Sequence, residues 1–259
     1  MSFSRPAVIG GGVMGEAILA TLLRSGYKAS EITVIEKRAE RLLELSEKYQ
    51  VKGDGIEGCD VVLLAVKPQD VEGSLKVEFR AGTLLVSLLA GVRSSRIEEL
   101  VPSLRVVRVM PNTPLLISNG MTVVAPGSKA TSSDVAWVSE LFGKSGKVLV
   151  LSESEMDAVT ATSGSGPAYL FAFVEAMVAA AEKLGIDKES ASVLVSQTLV
   201  GAAAMLEKSG KDAKTLRENV TSPKGTTAAA LNVFESEKLS EIVYEAMKAA
   251  RDRSIELSN

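Results

Sequence analysis

The sequence predicts an α/β protein: a doubly wound parallel sheet in residues 1–155, followed by an all-helical half in residues 156–259. Three observations carry this. Short β-branched apolar runs alternate with helical patterns as far as residue 153, which implies strands covered on both faces. A glycine-rich turn, Gly10-Gly11-Gly12-Val13-Met14-Gly15, follows the first of those runs. Beyond residue 153 no strand pattern recurs, and the chain becomes rich in Ala, Gly and Ser.

The elements follow in order. Residues 7–10 read as a buried strand, 16–24 as a helix stopped at Gly26, and 32–35 as a second strand. A charged amphipathic helix spans 39–49. Strands follow at 61–66 and 84–89, a short helix at 96–100 and a strand at 106–110. Shorter strands at 123–124 and 148–151 flank a helix at 132–142. Ser154-Glu155-Met156-Asp157 fits a capping box. Pro167 suits the first turn of an apolar helix ending near Gly185. Its few charges (Glu175, Glu182, Lys183) predict heavy burial. Asp187 is the N-cap of a helix over 188–207, and two more helices are expected around 226–234 and 237–256.

Composition excludes several classes of function. The chain has 259 residues, 46% of them hydrophobic, and a net charge of −3, with no basic excess in either half; nucleic acid is not an expected partner. No uninterrupted apolar run approaches the ~20 residues of a membrane span. The N-terminus has no signal-peptide layout, so a cytoplasmic protein is expected. The single cysteine, Cys59, forbids an internal disulfide. The absence of histidine removes the commonest metal ligand and the commonest general base, and with them any Ser-His-Asp or Cys-His mechanism.

Gly10-x-Gly12-x-x-Gly15, between a strand and a helix, is a dinucleotide-binding fingerprint. Gly10 permits the tight turn, Gly12 the approach of a pyrophosphate, and Gly15 the packing of helix on strand. The amides of Gly11, Val13 and Met14 are candidate phosphate donors. The bland reading is a glycine turn without nucleotide. Glu36 lies about 20 residues further on, where an acid would bind a ribose 2′-hydroxyl. Lys37 and Arg38 could hold a 2′-phosphate instead. Ala65-Val66-Lys67-Pro68-Gln69 ends a strand, where ligands of open sheets bind, and Pro68 holds Lys67 extended. Ala90-Gly91 offers another close approach.

Near the other end, Val220-Thr221-Ser222-Pro223-Lys224-Gly225-Thr226-Thr227 leads into a helix. Free amides at Gly225, Thr226 and Thr227 would hold a carboxylate, and the Thr227 hydroxyl would reach a polar atom beside it. Ordinary helix capping is the competing reading.

These blocks, together with Ala90-Gly91-Val92, Arg108-Val109-Met110-Pro111-Asn112-Thr113-Pro114 and Ser163-Gly164-Ser165-Gly166-Pro167-Ala168-Tyr169, resemble the pyrroline-5-carboxylate reductases over nearly the whole chain. The resemblance implies a Rossmann domain, a helical dimerisation domain that intertwines with a partner, and an active site between one chain's Rossmann domain and the other's helices. It implies cofactor contacts at Gly11, Gly12, Val13, Met14 and Lys37. Further contacts would fall at Ala65, Val66, Lys67, Pro68 and Ala90, and substrate contacts at Val220, Gly225, Thr226 and Thr227.

The implied reaction is reduction of Δ1-pyrroline-5-carboxylate to L-proline, the last step of proline biosynthesis. Thr227 would orient the imine. NADPH is the expected cofactor with NADH possible, and the assembly a homodimer or a ring of dimers. Asn112 shapes its Pro-rich turn, and Ser163–Tyr169 forms a tight turn and interface. Two departures stand out. Lys224 occupies a position where the family has glycine, and the segment Gly53-Asp54-Gly55-Ile56-Glu57 lacks an expected Asn. The alternatives are a reductase of another cyclic imine or keto acid, or a dinucleotide sensor without turnover.

Overall fold

A computed structural model describes residues 3–53 and 55–258. Seven strands form one sheet of order β2-β1-β3-β4-β5-β6-β7. The chain enters at β1 (Pro6–Ile9) and continues through α1 (Val13–Arg24), β2 (Thr33–Ile35), α2 (Ala39–Tyr49) and β3 (Val61–Leu64). It then forms α3 (Val71–Ser74), β4 (Leu84–Ser87), α4 (Ser94–Leu100) and β5 (Arg105–Pro111). β6 (Gly120–Pro126), α5 (Ser132–Gly143) and β7 (Gly146–Val150) complete the sheet layer.

Every residue of β1, β3 and β4 is buried, because successive side chains serve opposite faces and both faces are covered. Val8, Leu63 and Val86 join α1 and α5 in one core, with Ile18, Leu22 and Phe142. Ala7, Ile9, Val62 and Leu64 meet Val71 and Ile97 in the other. The sheet is mostly parallel, with one exception: β5 and β6 run antiparallel, pairing Val109 with Val124. A parallel crossover needs about a dozen residues or more, and the 112–119 connection is too short for one. β7 then pairs parallel to β6 through the α5 crossover.

The helical half differs from expectation in several places. The capping box lies two residues earlier: Ser152 N donates to Glu155 Oε2 at 2.9 Å. It leads through a single 3-10 turn into α6 (Met156–Val159). Thr160–Gly164 is π-helical and runs on into α7 (Gly166–Lys183), so the Ser163–Tyr169 block is helical rather than a tight turn. Asp187 caps α8 (Lys188–Lys208) as expected, its carboxylate accepting from Ser190 N at 3.0 Å. α9 (Ala213–Asn219) was not anticipated, although Asp212 caps it by accepting from Thr215 N at 2.7 Å. α10 (Thr226–Ser236) and α11 (Leu239–Leu257) follow.

The chain forms two compact units, residues 1–167 with 249–259, and residues 168–248. The tail of α11 belongs to the first unit. Ser254 Oγ donates to Asp157 Oδ1 at 2.7 Å, and Leu257 lies against Gly91. Gly91 has φ +70° and a Cβ there would stand 2.7 Å from Leu257 Cβ, so this glycine serves helix packing. In the second unit Phe173 of α7 packs on Phe234 of α10. No residue of α7 is buried in the single chain, contrary to the expectation from its composition. Phe171 is 60% exposed and Val193 of α8 65%. By length and composition alone, Glu153–Lys183 and Lys188–Lys208 could each cross a membrane, which the run-length reading had not anticipated. Apolar composition therefore does not mean burial within one chain.

Candidate active site

The order β2-β1-β3 places a switch point between β1 and β3, since the chain leaves β1 for one side and later returns to the other. The glycine turn and the end of β3 meet there. Gly10 has φ +101°, and a Cβ on it would lie 2.5 Å from Ala65 O. A Cβ on Gly15 would collide with Gly10 O, which is why helix and strand can close only over glycine. A Cβ on Gly12 meets nothing within 4 Å. Two glycines are thus dictated by the protein's own backbone, and the third faces open space. The fit to a pyrophosphate is good: Gly12 leaves room for it, and the first-turn amides of α1, at Val13 and Met14, have no acceptor within the helix.

The Gly11 amide, a candidate phosphate donor by sequence, is not free: it donates to Glu36 Oε2 at 2.8 Å. Its carbonyl accepts from Arg41 Nε at 2.8 Å. Arg41 continues to Glu16 of α1, which also accepts from Lys48 Nζ at 2.8 Å and Tyr49 Oη at 2.9 Å. The Lys48 hydrogen bond, with Arg41 and Tyr49 and against the cost of burial, lowers the Glu16 pKa to about 2. This network clamps α1 to α2 beneath the glycine turn.

A cleft of about 720 Å³ opens over the switch point. Gly10, Gly12, Glu36, Lys37, Arg38, Ala65, Val66 and Lys67 all line it. Lys67 is extended (φ −75°, ψ 150°), as the following Pro68 requires. Pro68 itself begins a 3-10 turn, and Ala90 is exposed at the end of β4; neither lines the cleft. Val13 is 61% exposed at the start of α1, while Met14 packs on the core. Gly55, Ile56 and Glu57 also form part of the wall. The segment that lacks the expected Asn therefore reaches the cleft, although Asp54 lies outside the described residues. No local pattern announces this role; it follows from the loop's place before β3. Asn112 ties its turn to two neighbours, accepting from Met121 N at 2.8 Å and donating to Ser163 O at 3.1 Å.

The other expected site belongs to the second unit. Val220 ends α9 and is 61% exposed. Thr221 Oγ1 donates to Arg217 O at 2.6 Å, a capping role. Gly225 N closes a turn onto Ser222 O at 3.0 Å, and a Cβ on Gly225 would collide with Ser222 Oγ. Lys224 sits at φ +62°, the left-handed region that costs a non-glycine residue about 1–2 kcal/mol. Gly225 is the N-cap of α10 and offers no side-chain cap. The first-turn amides at Thr226 and Thr227 therefore remain donors without an acceptor inside the helix.

A glycine-rich turn at a switch point, with an open Gly12 and a cleft running to the end of β2, defines a nicotinamide-dinucleotide oxidoreductase with a helical second domain. Family comparison agrees. Residues 5–91 match the model described as NADP oxidoreductase coenzyme F420-dependent, and residues 153–257 match pyrroline-5-carboxylate reductase dimerisation. A pyrroline-5-carboxylate reductase from Haemophilus influenzae is 41% identical, over 97% of this chain and 96% of its own length. The structure of a pyrroline-5-carboxylate reductase from Coxiella burnetii superposes with a TM-score of 0.89 at 35% identity, covering 100% of both chains. That of the Plasmodium falciparum pyrroline carboxylate reductase, solved with NADP bound, gives 0.85 at 27% identity over 98% of each chain. The chain belongs to the pyrroline-5-carboxylate reductase family.

Proposed function

We propose that this protein reduces the C=N bond of Δ1-pyrroline-5-carboxylate to L-proline with NAD(P)H, as the final step of proline biosynthesis. The observation that carries the reading is the pairing, in one chain, of an open dinucleotide cleft with a helix whose first turn, at Thr226 and Thr227, is uncapped.

A reduced nicotinamide, when bound, supplies a hydride. Gly12 would admit the pyrophosphate, and the Val13 and Met14 amides would hold it. Val66 and Lys67, which line the same cleft, would lie along the bound cofactor. The Thr226 and Thr227 amides receive the substrate carboxylate, favoured by the positive end of the α10 dipole. Thr227 Oγ1 hydrogen-bonds the ring nitrogen. The cofactor would supply the hydride for C5; the C=N π pair would pass to the nitrogen, whose proton, held by Thr227 Oγ1, would complete the amine. An imine nitrogen is basic enough to need no strong protein acid, which suits a chain without histidine. Positioning the two reactants is the main catalytic contribution.

Two copies form the working unit, dimers or rings of dimers. The apolar faces of α7 and α8 pack between chains, and the Val220–Thr227 segment of one copy completes the Rossmann cleft of the other. The protein works in the cytoplasm, independent of membrane and nucleic acid.

The test is steady-state oxidation of NADPH and NADH by pyrroline-5-carboxylate, beside a panel of other cyclic imines and keto acids. Turnover greatest with the C5 imine is expected. Folded protein that binds dinucleotide yet turns over a different substrate better would overturn the assignment.

A further inference from the structure

Both nicotinamide dinucleotides share every group that meets the glycine turn; they differ only at the adenosine ribose. The residues at that end of the cleft are three consecutive charged side chains after β2, and the fold treats them differently. Glu36 turns inward: its side chain is 9% exposed, whereas that of Arg38 is 66% and that of Lys37 72% exposed. The Glu36 carboxylate is held by Gly11 N at 2.8 Å, Arg38 N at 3.0 Å and Arg38 Nε at 3.1 Å. Lys37 leans toward Asp70, 3.5 Å away. A second carboxylate, Glu57, lines the same cleft. Burial opposes ionisation of Glu36, but the Arg38 side chain and the amides of Arg38 and Gly11 outweigh it and bring its pKa to about 2, so it is an anion at neutral pH.

We propose that Glu36 selects the unphosphorylated ribose, so that this cleft binds NADH in preference to NADPH; the proposal rests on the dinucleotide reading above. A fixed carboxylate accepts a hydrogen bond from a 2′-hydroxyl and repels a 2′-phosphate. The guanidinium best placed to hold such a phosphate, that of Arg38, already neutralises Glu36. Turning it to a phosphate would leave the inward carboxylate facing a second anion. Glu36 is thus a specificity-determining residue, and Arg38 the partner that orients it.

The experiment is a direct binding titration of the full-length protein with NADH and with NADPH, followed by nicotinamide fluorescence without imine. Competition by 5′-AMP and 2′,5′-ADP isolates the ribose. The expected wild-type result is a Kd at least tenfold lower for NADH. Glu36→Gln keeps an acceptor for Gly11 N–H but removes the charge, and should shift the NADPH/NADH Kd ratio at least tenfold toward NADPH. Arg38→Ala should keep the preference for NADH. Tighter wild-type binding of NADPH overturns the proposal while leaving the reductase reading intact, because imine turnover reports on that separately. An unchanged ratio in Glu36→Gln also overturns it. Binding of neither dinucleotide overturns both.

Discussion

Three glycines in one turn do three different jobs, and their surroundings separate them. Gly10 and Gly15 are required by contacts within the protein, so replacing either disturbs the fold itself. Gly12 faces open space. Gly12→Asp should therefore leave thermal unfolding nearly unchanged while lowering dinucleotide affinity at least a hundredfold. A calorimetric titration that still finds wild-type affinity would remove Gly12 from the site. Thr227 is the corresponding residue of the proposed substrate site. Thr227→Ala keeps its backbone amide and loses the hydroxyl, so kcat/KM should fall at least tenfold with dinucleotide affinity preserved. Near-normal turnover would mean that the ring nitrogen finds its proton without this residue. Lys224 bears the opposite kind of constraint. It stands in a left-handed conformation that glycine adopts without strain, and its position before Gly225 was legible while its φ was not.

One carboxylate links α1 to α2 beside their shared apolar core. Glu16 accepts from Lys48 and Tyr49 and pairs with Arg41, which also binds the Gly11 carbonyl. Its pKa in the folded chain, about 2, is below the ordinary value of 4.5. A depressed carboxylate pKa stabilises the fold fully above the unfolded pKa and loses that contribution as pH falls through the folded one. Chemical denaturation of wild type and Glu16→Gln should thus differ by on the order of 2 kcal/mol at pH 7, the figure allowing for partial solvent screening. The gap should close between about pH 5 and pH 2. A constant gap over that range would assign the effect to packing and not to charge. The helices themselves were readable because each has a cause in its own sequence, such as Asp187 before α8. α9 has the same signal in Asp212, but seven residues carry too little periodicity to announce a helix. The displaced capping box shows the limit of such motifs: Ser152 and Ser154 both precede a suitable acid, and the folded chain uses Ser152 with Glu155.

The molecule as a whole is apolar where a monomer would be polar. Leu170, Phe171, Val193 and Val200 lie on α7 and α8, each more than half exposed in the single chain. Exposed apolar area of this extent marks an interaction surface. Its residues fall within the match to the family's dimerisation domain. Sedimentation equilibrium should therefore find no monomer at micromolar concentration, and Phe171→Glu should produce monomer or aggregate with loss of activity. A fully active monomer would refute the proposed shared site.

Much of this was present in the order of the residues. Strands buried on both faces need continuous apolar runs, so β1, β3 and β4 could be read directly, and the glycine fingerprint could be read because steric necessity leaves few other residues possible. That the protein is an oxidoreductase followed from that fingerprint and the Val220–Thr227 segment, and the imine substrate from the resemblance of the ordered blocks to a known family. What could not be read was direction in space. Of the three adjacent charges Glu36, Lys37 and Arg38, the string does not say which turns inward. The Gly11 amide, brought beside β2 by the sheet, joins Arg38 in holding Glu36 inward. The antiparallel β6 depended on how far a short connection reaches. The α7 sequence predicts that its apolar face must be covered, but in the folded single chain that face remains exposed. Local steric and hydrophobic demands are carried by neighbouring residues, whereas orientation and partnership depend on groups distant in sequence that folding alone brings together.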